Sequence, residues 1–327
     1  MRLKTKRDVV LLLTHSGDHF TVERVAKALG RKGARPFRFD TDLFPAKLRL
    51  CSEFRDDEIS HKVRTRPKDL STDQVHAVWA RKIWQPRFAD DLDPAFRDMC
   101  ANESLAALEG FFDGLHGARW INPPGRERDA ENKLLQLRIA RLVGLKIPRT
   151  LVTNDPQSAS RFFADVDGQM VAKLLRPVSM GMGPASSFVF TSQVSSSDLL
   201  QASLLRHSPM VFQELIPKAR ELRVVFVAGR FFTGAINSSA SARGQVDWRR
   251  ASVHEISWEP TEIPDVLARA LKRLMSKLGL AYGAIDLIQN PDGEFVFLEV
   301  NPSGEWGMLE RDLGYPISES IADALLE

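Results

Sequence analysis

One stretch of the chain carries a fold signal and a site signal together: Ala281-Tyr-Gly-Ala-Ile-Asp-Leu-Ile-Gln-Asn-Pro-Asp-Gly-Glu-Phe-Val-Phe-Leu-Glu-Val-Asn301. Two apolar runs, 284–289 and 294–300, flank Asn290-Pro-Asp-Gly293, which favours a β-hairpin closed by a type I turn. If Asn290 pairs with Gly293, then Asp286 faces Phe297. The alternation of side chains along a strand then places four residues on one face: Asp286, Phe297, Glu299 and Asn301.

The two carboxylates of this stretch need a compensating charge. Asp286 and Glu299 stand among Ile, Leu, Val and Phe residues, and ionised groups are not buried unpaired. Carboxylate and amide oxygens are hard ligands that suit Mg²⁺, which completes its coordination shell with substrate phosphates. We therefore predict that Asp286, Glu299 and Asn301 form the metal site of a nucleotide-using enzyme.

Length and composition limit the class of protein. The chain has 327 residues, of which 43% are hydrophobic, enough for two or three domains. Cys51 and Cys100 are the only cysteines, too few for a disulfide framework. No stretch reaches the length of a membrane span, and the run 9–13 fits a first strand better than a signal peptide. We expect a cytoplasmic protein without a membrane partner.

The charge is distributed unevenly along the chain. The net charge is +3, but from Asp286 to Glu327 there are ten acidic residues and one basic residue, so this end carries −9 and the remainder +12. A basic remainder suits phosphates or an acidic peptide, and solvated surface charge is the alternative. There is no basic module interleaved with aromatic residues, so we expect no nucleic-acid partner.

The first part of the chain, residues 1–120, predicts an α/β domain. A β-run at 8–13 precedes apolar residues at helical spacing from Val22 to Leu29, and a second strand follows at 34–39. This βαβ order implies a parallel sheet. The Gly-x-Gly-x-x-Gly turn of a dinucleotide site is absent. A strand at 77–83 and a helix at 94–115 complete the domain.

The rest of the chain divides into a central part, 121–215, and a C-terminal part, 216–327. The central part contains a striped helix that ends near Gly144 and a helix at 198–206. The C-terminal part contains one hairpin, a polar insert at 237–250, a helix at 264–278 that ends at Gly279, and the hairpin quoted above.

Two lysines are candidates for binding phosphate. Lys173 lies in the apolar run 170–175, and a glycine-containing segment follows it. An ammonium group beside such a segment suits a phosphate cradle, although a Walker-type P-loop is absent. Lys133 begins the striped helix and is a candidate for a second cation. The alternative for Lys133 is an exposed lysine in a first helical turn.

A third set of candidates follows the run 210–217, which predicts an edge strand. The end of this strand, Gln213-Glu-Leu-Ile216, is a candidate for binding an adenine edge. Glu221 is a candidate for binding ribose hydroxyls. Arg223 shares a face with Glu221 and is a candidate for contacting phosphate or the reacting acyl group. The alternative for these two residues is a surface cross-strand ion pair.

The order and spacing of seven residues resemble the ATP-grasp fold of ligases that join carboxylates to amines through acyl phosphates: Lys133, Lys173, Glu214, Glu221, Asp286, Glu299 and Asn301. The resemblance implies that the two lysines contact the phosphates of ATP and that the adenine pocket includes Glu214, Leu215 and Ile216. It implies that Glu221 holds the ribose, and that the last three residues bind two Mg²⁺ ions.

One departure from the ATP-grasp pattern concerns a cation. Many of these ligases carry an arginine two residues before the first metal-binding aspartate, where this chain has Ala284. The cation that stabilises the transition state must then come from elsewhere. Arg223 and Arg249 are the candidates.

A narrower resemblance covers nearly the whole chain. Four segments are similar to the graspetide synthetases, typified by the microviridin ligases: Thr14-His-Ser-Gly-Asp-His-Phe20, Arg38-Phe-Asp-Thr-Asp-Leu-Phe44, Asp247-Trp-Arg249 and Phe297-Leu-Glu-Val-Asn-Pro-Ser-Gly-Glu-Trp306. The resemblance implies an ATP-dependent enzyme that activates Asp or Glu side chains of a ribosomal precursor peptide. Ser or Thr hydroxyls or Lys amines then close macrocyclic esters or amides.

The same resemblance implies how the peptide is bound. The segment 177–193 and the helix around Asp198 would receive a leader sequence, and the insert 237–250 would lie near the core peptide. In that insert Asp247, Trp248 and Arg249 are candidate site residues, with a disordered loop as the alternative. A homodimer is also implied.

Several questions stay open at the level of sequence. A hydroxyl nucleophile needs a base, for which there are three candidates: His207, Asp247 and Glu305. Two other functions remain as alternatives to macrocyclisation: a ligase that adds free amino acids to a small molecule or a protein tail, and a non-catalytic ATP-binding module.

Overall fold

The computed structural model describes residues 8–64, 69–175, 191–236 and 257–327. These residues form an α/β fold in two compact units. The first unit comprises Met1–Gly125, Glu305–Glu310 and Pro316–Glu327, and the second comprises Arg126–Gly304 and Arg311–Tyr315. The domain boundaries expected at 120 and 215 stay predictions. No helix in the described ranges is long and apolar enough to cross a membrane.

The strands in the described ranges are β1 (Val9–Thr14), β2 (Arg35–Asp40), β3 (Arg49–Arg55), β4 (Glu58–Arg64), β5 (Asp69–Ser71), β6 (Val75–Ala80), β7 (Arg119–Ile121), β8 (Thr150–Thr153), β9 (Met170–Lys173), β10 (Ser192–Gln193), β11 (Met210–Glu214), β12 (Arg220–Val227), β13 (Arg230–Ile236), β14 (Glu259–Pro260), β15 (Tyr282–Gln289) and β16 (Phe295–Asn301). The α-helices there are α1 (Phe20–Arg31), α2 (Arg97–Asp113), α3 (Pro124–Ala130), α4 (Lys133–Leu142), α5 (Pro156–Asp165), α6 (Ser196–Leu199), α7 (Asp265–Leu278), α8 (Gly307–Leu313) and α9 (Ile317–Leu326).

The first unit contains a parallel sheet in the order β2-β1-β6-β7. Its central strand β1 is buried along its whole length, as expected for a parallel strand covered on both faces. Helix α1 buries one stripe, which includes Val22, Val25 and Leu29. The predicted βαβ opening is confirmed. Strand β6 ends at Ala80, three residues earlier than predicted, and the side chains of Arg81 and Lys82 beyond it bind Glu305.

A second sheet of this unit, β3-β4-β5, is antiparallel and was not predicted. Most of its β3 residues are exposed and charged or polar, so neither face shows a regular apolar alternation. The C-terminal helix α9 was not predicted either, although it buries seven of the residues between Ile317 and Leu325.

The second unit contains two antiparallel sheets. The smaller one has the order β10-β9-β11-β8, and the larger one has the order β14-β13-β12-β15-β16. Because β11 pairs with both β8 and β9, the prediction that it is an edge strand was wrong. Its flanking strands are only four residues long, too short for their pairing to be read from the sequence.

One face of the larger sheet forms the main apolar core of the unit. Leu222, Ile285 and Phe297 point into this core, where α4 and α7 also bury their apolar residues. Helix α7 ends where it was predicted, with Gly279 in the left-handed conformation at φ 69°. The helix predicted at 198–206 is instead two short pieces, α6 and a 3-10 helix at Ala202–His207.

The register of the β15–β16 hairpin differs from the prediction in two places. Asn290 and Glu294 hydrogen-bond to each other across the turn, with Gly293 at φ 83°, so a three-residue loop closes the hairpin. A β-bulge between Asp286 and Leu287 then shifts the pairing, so that Asp286 pairs with Glu299 rather than with Phe297. The expected position of Phe297 beside the carboxylates was therefore wrong, because the extra residue turns Phe297 into the core.

Candidate functional site

Three strands of the larger sheet bring charged residues into one row. Arg223 on β12 pairs with Asp286 on β15, and Asp286 pairs with Glu299 on β16. The guanidinium Nη1 of Arg223 donates to Asp286 Oδ1 at 2.7 Å. The amide Nδ2 of Asn301 lies between the carboxylates, 3.2 Å from Asp286 Oδ2 and 3.4 Å from Glu299 Oε1. The row therefore holds two carboxylates, one amide and one cation on one face of the sheet.

A second cation reaches the row from α4. Lys133 is the first residue of that helix, whose N-cap Asn132 accepts a hydrogen bond from the Leu135 N–H. Its Nζ lies 2.8 Å from Glu299 Oε2, and both side chains are about one-fifth exposed. Lys133 is therefore not a freely solvated first-turn lysine.

Arg223 is buried at one end of the row. Burial by itself lowers the pKa of the guanidinium, but the charge and the hydrogen bond of Asp286 outweigh this effect and raise the pKa. The alternative interpretation was a surface ion pair between strands that involves Arg223 and Glu221. Arg223 does form an ion pair across two strands, but it is buried, and its partner is Asp286 rather than Glu221. The guanidinium therefore stays charged beside the Asp286 carboxylate.

The donor set fits Mg²⁺. Within the described part of the chain, no group of three or more His, Cys, Asp or Glu side chains is arranged to hold a metal ion. Two carboxylates and an amide suit an ion that takes its other ligands from phosphates and water. In this structure protein donors satisfy these carboxylate oxygens, namely Arg223, Lys133 and the Asn301 amide group. A rotation of the Asn301 amide exchanges its donor for an acceptor oxygen.

A close approach of backbone supports this arrangement. A Cβ atom at Gly304 would lie 2.5 Å from the Ala284 Cβ and 3.1 Å from Arg223 Nη2. The phenol of Tyr282 donates to the Gly304 carbonyl at 2.6 Å and holds the segment there. The backbone at Gly304 thus packs closely against Ala284 and the guanidinium of Arg223.

A cleft within the second unit joins this row to the smaller sheet. Polar residues predicted from the sequence line it, namely Lys133, Lys173, Gln213 and Glu299. Between them lie apolar side chains that were not among the predicted site residues, namely Leu134, Leu137, Val152, Val211 and Leu298. Apolar side chains with a few cations and polar groups are the kind of lining that small-molecule sites have.

The remaining predicted nucleotide residues lie at the end of β11 and the start of β12. Gln213 donates from Nε2 to Thr150 Oγ1 at 3.0 Å, and Glu214 Oε2 accepts from the Arg149 N–H at 3.4 Å. The Leu215 N–H donates to the Gln169 carbonyl, and Ile216 follows it. Glu221 is almost buried and pairs with Lys218, whose Nζ lies 2.8 Å from its Oε1.

Other predicted site residues do not join the row. Asp198 caps its own helix, where its carboxylate accepts from the Ser195 N–H at 2.8 Å and the Ser195 hydroxyl lowers its pKa. Asp247, Trp248 and Arg249, with most of the segment 177–193, lie outside the described residues.

Two of the three candidate bases, His207 and Glu305, lie among the described residues. His207 is exposed at the end of a 3-10 helix. Burial raises the pKa of Glu305, but the nearby charges of Arg81 and Lys82 outweigh burial and lower it overall. A lowered pKa disfavours Glu305 as a base near neutral pH.

Comparison with known proteins identifies the family. The MvdD pre-ATP grasp domain matches residues 9–128. The macrocyclase MdnB from Microcystis aeruginosa MRC is 48% identical, with a TM-score of 0.84, over 98% of this chain and 99% of that chain. The macrocyclase MdnC from the same organism, bound with precursor peptide MdnA, is 34% identical, with a TM-score of 0.87, over 97% and 99% of the two chains.

A third similar structure is the Chryseobacterium gregarium RiPP-associated ATP-grasp ligase in complex with ADP and a leader and core peptide. It is 31% identical, with a TM-score of 0.90, over 98% of this chain and 96% of that chain. This chain belongs to the same family of ATP-grasp macrocyclases, so the resemblance to graspetide synthetases is confirmed. The ATP-grasp fold with its N-terminal pre-ATP-grasp domain is confirmed with it.

Proposed function

We propose that this protein uses ATP to close macrocycles in a ribosomally made precursor peptide. It would activate Asp or Glu side chains as acyl phosphates and join them to Ser or Thr hydroxyls, or to Lys amines, as ω-esters or ω-amides. The row Arg223–Asp286–Glu299 with Lys133 carries the proposal, because it offers carboxylates for a metal and cations for phosphate on one surface. Family membership supplies the peptide as the substrate class.

The nucleotide would lie in the cleft between the smaller sheet and α4. Lys133 and Lys173 would bind the phosphates of ATP, and the segment Gln213–Ile216 would contact the adenine. Glu221 would bind the ribose. Asp286, Glu299 and Asn301 would hold Mg²⁺, which when bound neutralises phosphate charge and aligns the transferred phosphoryl group.

The chemistry proceeds in two displacements. A carboxylate oxygen of the peptide attacks the γ-phosphorus of ATP and ADP leaves, which gives the poor acyl donor a leaving group. A hydroxyl or amine of the same peptide then attacks the acyl carbon, and phosphate leaves. Arg223 would stabilise negative charge in these steps, and its buried position on the carboxylate row supports this role.

The partner is a precursor peptide with a leader sequence. Holding the leader outside the reacting centre raises the effective concentration of the core peptide at that centre. The leader would bind around α6 and the segment that precedes it, and the core peptide would lie near Asp247, Trp248 and Arg249. We further propose that the enzyme is cytoplasmic, where ATP is present, and that it is a homodimer.

Mass spectrometry of a co-expressed precursor peptide tests this function. The probes are the precursor encoded beside this gene and, as a second peptide, MdnA. Each ring closure expels one water, so the product should lose about 18 Da per ring, with ADP and phosphate formed. Gain of the mass of an amino acid would identify a ligase that adds free amino acids. An unchanged peptide with no ADP formed would identify a non-catalytic ATP-binding module.

A further inference from the structure

A buried glutamine lies one helical turn after Lys133 on α4. Gln136 is 2% exposed. Its neighbours Leu137, Ile139 and Ala140 belong to the apolar core. A glutamine amide carries two N–H donors and one acceptor oxygen, and burial removes the water that would otherwise satisfy them. The structure must therefore supply partners for the Gln136 side chain.

All of these partners are backbone groups. The Nε2 of Gln136 donates to the Ala130 carbonyl at 2.6 Å and to the Val300 carbonyl at 2.8 Å. Its Oε1 accepts from the Val300 N–H at 2.7 Å. One side chain thus connects α4 to the end of α3 and to β16.

The position of β16 explains why this contact matters. It is an outer strand of the larger sheet and pairs with β15 on one side. On its other side, the N–H and C=O of Val300 need partners that a further strand would normally supply. The Gln136 amide gives Val300 the same pair of hydrogen bonds that a neighbouring strand would give. Helix α4 is thereby attached to the residue that follows Glu299.

We infer that Gln136 is a positioning residue that fixes Lys133 against Glu299. Residues three apart lie on the same helix face, so Lys133 and Gln136 both point toward β16. Lys133 meets Glu299 there at 2.8 Å, and Gln136 meets the adjacent Val300. The inference rests on the proposed function in one respect, because it takes Lys133 and Glu299 as groups that bind nucleotide phosphate and metal.

A purely structural glutamine would behave differently. Helix α4 also packs through Ile139 and Ala140, and it has its own N-cap in Asn132. Loss of the Gln136 amide should therefore leave the helix folded but should let its first turn move relative to β16. We expect the Gln136 variant to bind nucleotide more weakly, because Lys133 is then no longer held in place against Glu299.

The test measures binding of AMPPNP, a non-hydrolysable ATP analogue, with Mg²⁺ to the full-length chain by calorimetry. The variants are Gln136→Met, which keeps the size of the side chain and removes its hydrogen bonds, Lys133→Ala, and the double variant. Ile139→Ala is the control, because Ile139 is buried in the same helix without lining the cleft. The thermal midpoint of each variant reports its stability separately.

Gln136→Met should raise the Kd by about 10- to 100-fold, the usual effect of removing a group that orients a ligand-binding residue. Ile139→Ala should lower the thermal midpoint at least as much and leave the Kd within about twofold. The double variant should bind no more weakly than Lys133→Ala, because the effect of Gln136 passes through Lys133. If Gln136→Met does not fold, Gln136→Glu, which keeps the acceptor for the Val300 N–H, replaces it in the same comparison.

Two results would overturn the inference: a Kd for the Gln136 variant equal to that of Ile139→Ala, or independent losses that multiply in the double variant. A wild-type protein that binds no nucleotide would overturn the proposed function and this inference with it. The failures are distinguishable, because the first two leave wild-type binding intact.

Discussion

At the scale of single residues, Asp286 is where the charges of the site converge. Its two oxygens accept from Arg223 and Asn301, and the neighbouring Glu299 accepts from Lys133. Loss of one partner from a buried ion pair leaves the other charge uncompensated. In the proposed function, a phosphate group that enters this site would compete with the carboxylates for the same cations, and a divalent ion would then compensate the carboxylates. Substitution of Glu299 tests the proposed metal-binding group, and substitution of Lys173 tests the proposed phosphate-binding group.

Glu299→Ala should reduce Mg²⁺-dependent ADP release by about 100-fold or more, because it removes a charged metal ligand from a preorganised site. The fold should survive, since Glu299 lies on the cleft face rather than in the apolar core. The measurement is steady-state ADP release with precursor peptide. Glu294→Ala is the matched control, because Glu294 is an exposed glutamate of the same hairpin that pairs with Lys146. Wild-type ADP release from Glu299→Ala protein would contradict the metal assignment.

Lys173→Ala should weaken binding of ATP by about tenfold or more, because it removes a charged hydrogen-bond donor from the cleft. Lys277→Ala provides the control, since Lys277 is exposed on the last turn of α7. Calorimetry of both variants measures the difference. Equal affinities for the two proteins would remove Lys173 from the phosphate site.

At the scale of elements, the β-bulge on β16 lets one part of the strand face the apolar core and the next part face the cleft. Phe297 faces the core with Leu287, whereas Leu298 and Glu299 face the cleft. An alternation of period two predicts the hairpin but not the extra residue, since a bulge adds one residue without changing the apolar composition. The hydrogen bond expected of the Asn290–Gly293 turn is present, from the Gly293 N–H to the Asn290 carbonyl at 3.0 Å, but Asn290 also pairs with Glu294, which changes the register from the predicted one.

Gly304 tests the packing of this sheet edge against the residues after β16. Gly304→Ala should lower stability by about 1–3 kcal/mol, because the added methyl would lie 2.5 Å from the Ala284 Cβ and 3.0 Å from the Asn301 Cβ. It should also reduce ADP release, because the guanidinium of Arg223 is close by. Gly110→Ala in α2 is the control, since nothing lies within 4 Å of its added Cβ and alanine favours a helix. Chemical denaturation that gives equal midpoints for both variants would contradict this packing.

The ion pairs of Glu305 with Arg81 and Lys82 give the first unit a pH dependence. Because the pKa of Glu305 is lowered in the folded state, its contribution is present above the ordinary glutamate pKa of about 4.3 and is lost as the pH falls below it. Glu305→Gln should therefore lower the thermal midpoint near neutral pH and show a smaller loss on acidification. Melting curves from pH 7 downward, about one unit apart, measure this. Parallel midpoint curves for the two proteins would show that the Glu305 charge contributes nothing.

At the scale of the whole molecule, local patterns predicted the elements better than their contacts. The βαβ opening, α7 with Gly279 and the β15–β16 hairpin follow from apolar periodicity and turn residues. The 2.8 Å contact of Lys133 with Glu299 joins residues far apart in sequence, and only the family resemblance brought them together. The central position of β11 and the amide contact of Gln136 with Val300 leave no periodic signal. Sequence periodicity reports which face is buried, but not which distant backbone covers it.

The central claim is that this site activates a peptide carboxylate through an acyl phosphate. An isotope experiment tests it most directly. The precursor peptide is prepared with oxygen-18 in its Asp and Glu carboxylates and incubated with the enzyme, ATP and Mg²⁺ in ordinary water. Phosphate released during ring closure is then analysed by mass spectrometry, with Glu299→Ala protein as the control.

If the reaction passes through an acyl phosphate, one labelled oxygen should pass from the peptide to each phosphate. The phosphate should become about 2 Da heavier, and ADP should be the other product. The matching carboxylate should keep its second labelled oxygen in the new ester or amide carbonyl. The control should release no labelled phosphate. Unlabelled phosphate alongside a cyclised peptide, or label found in AMP, would contradict the account.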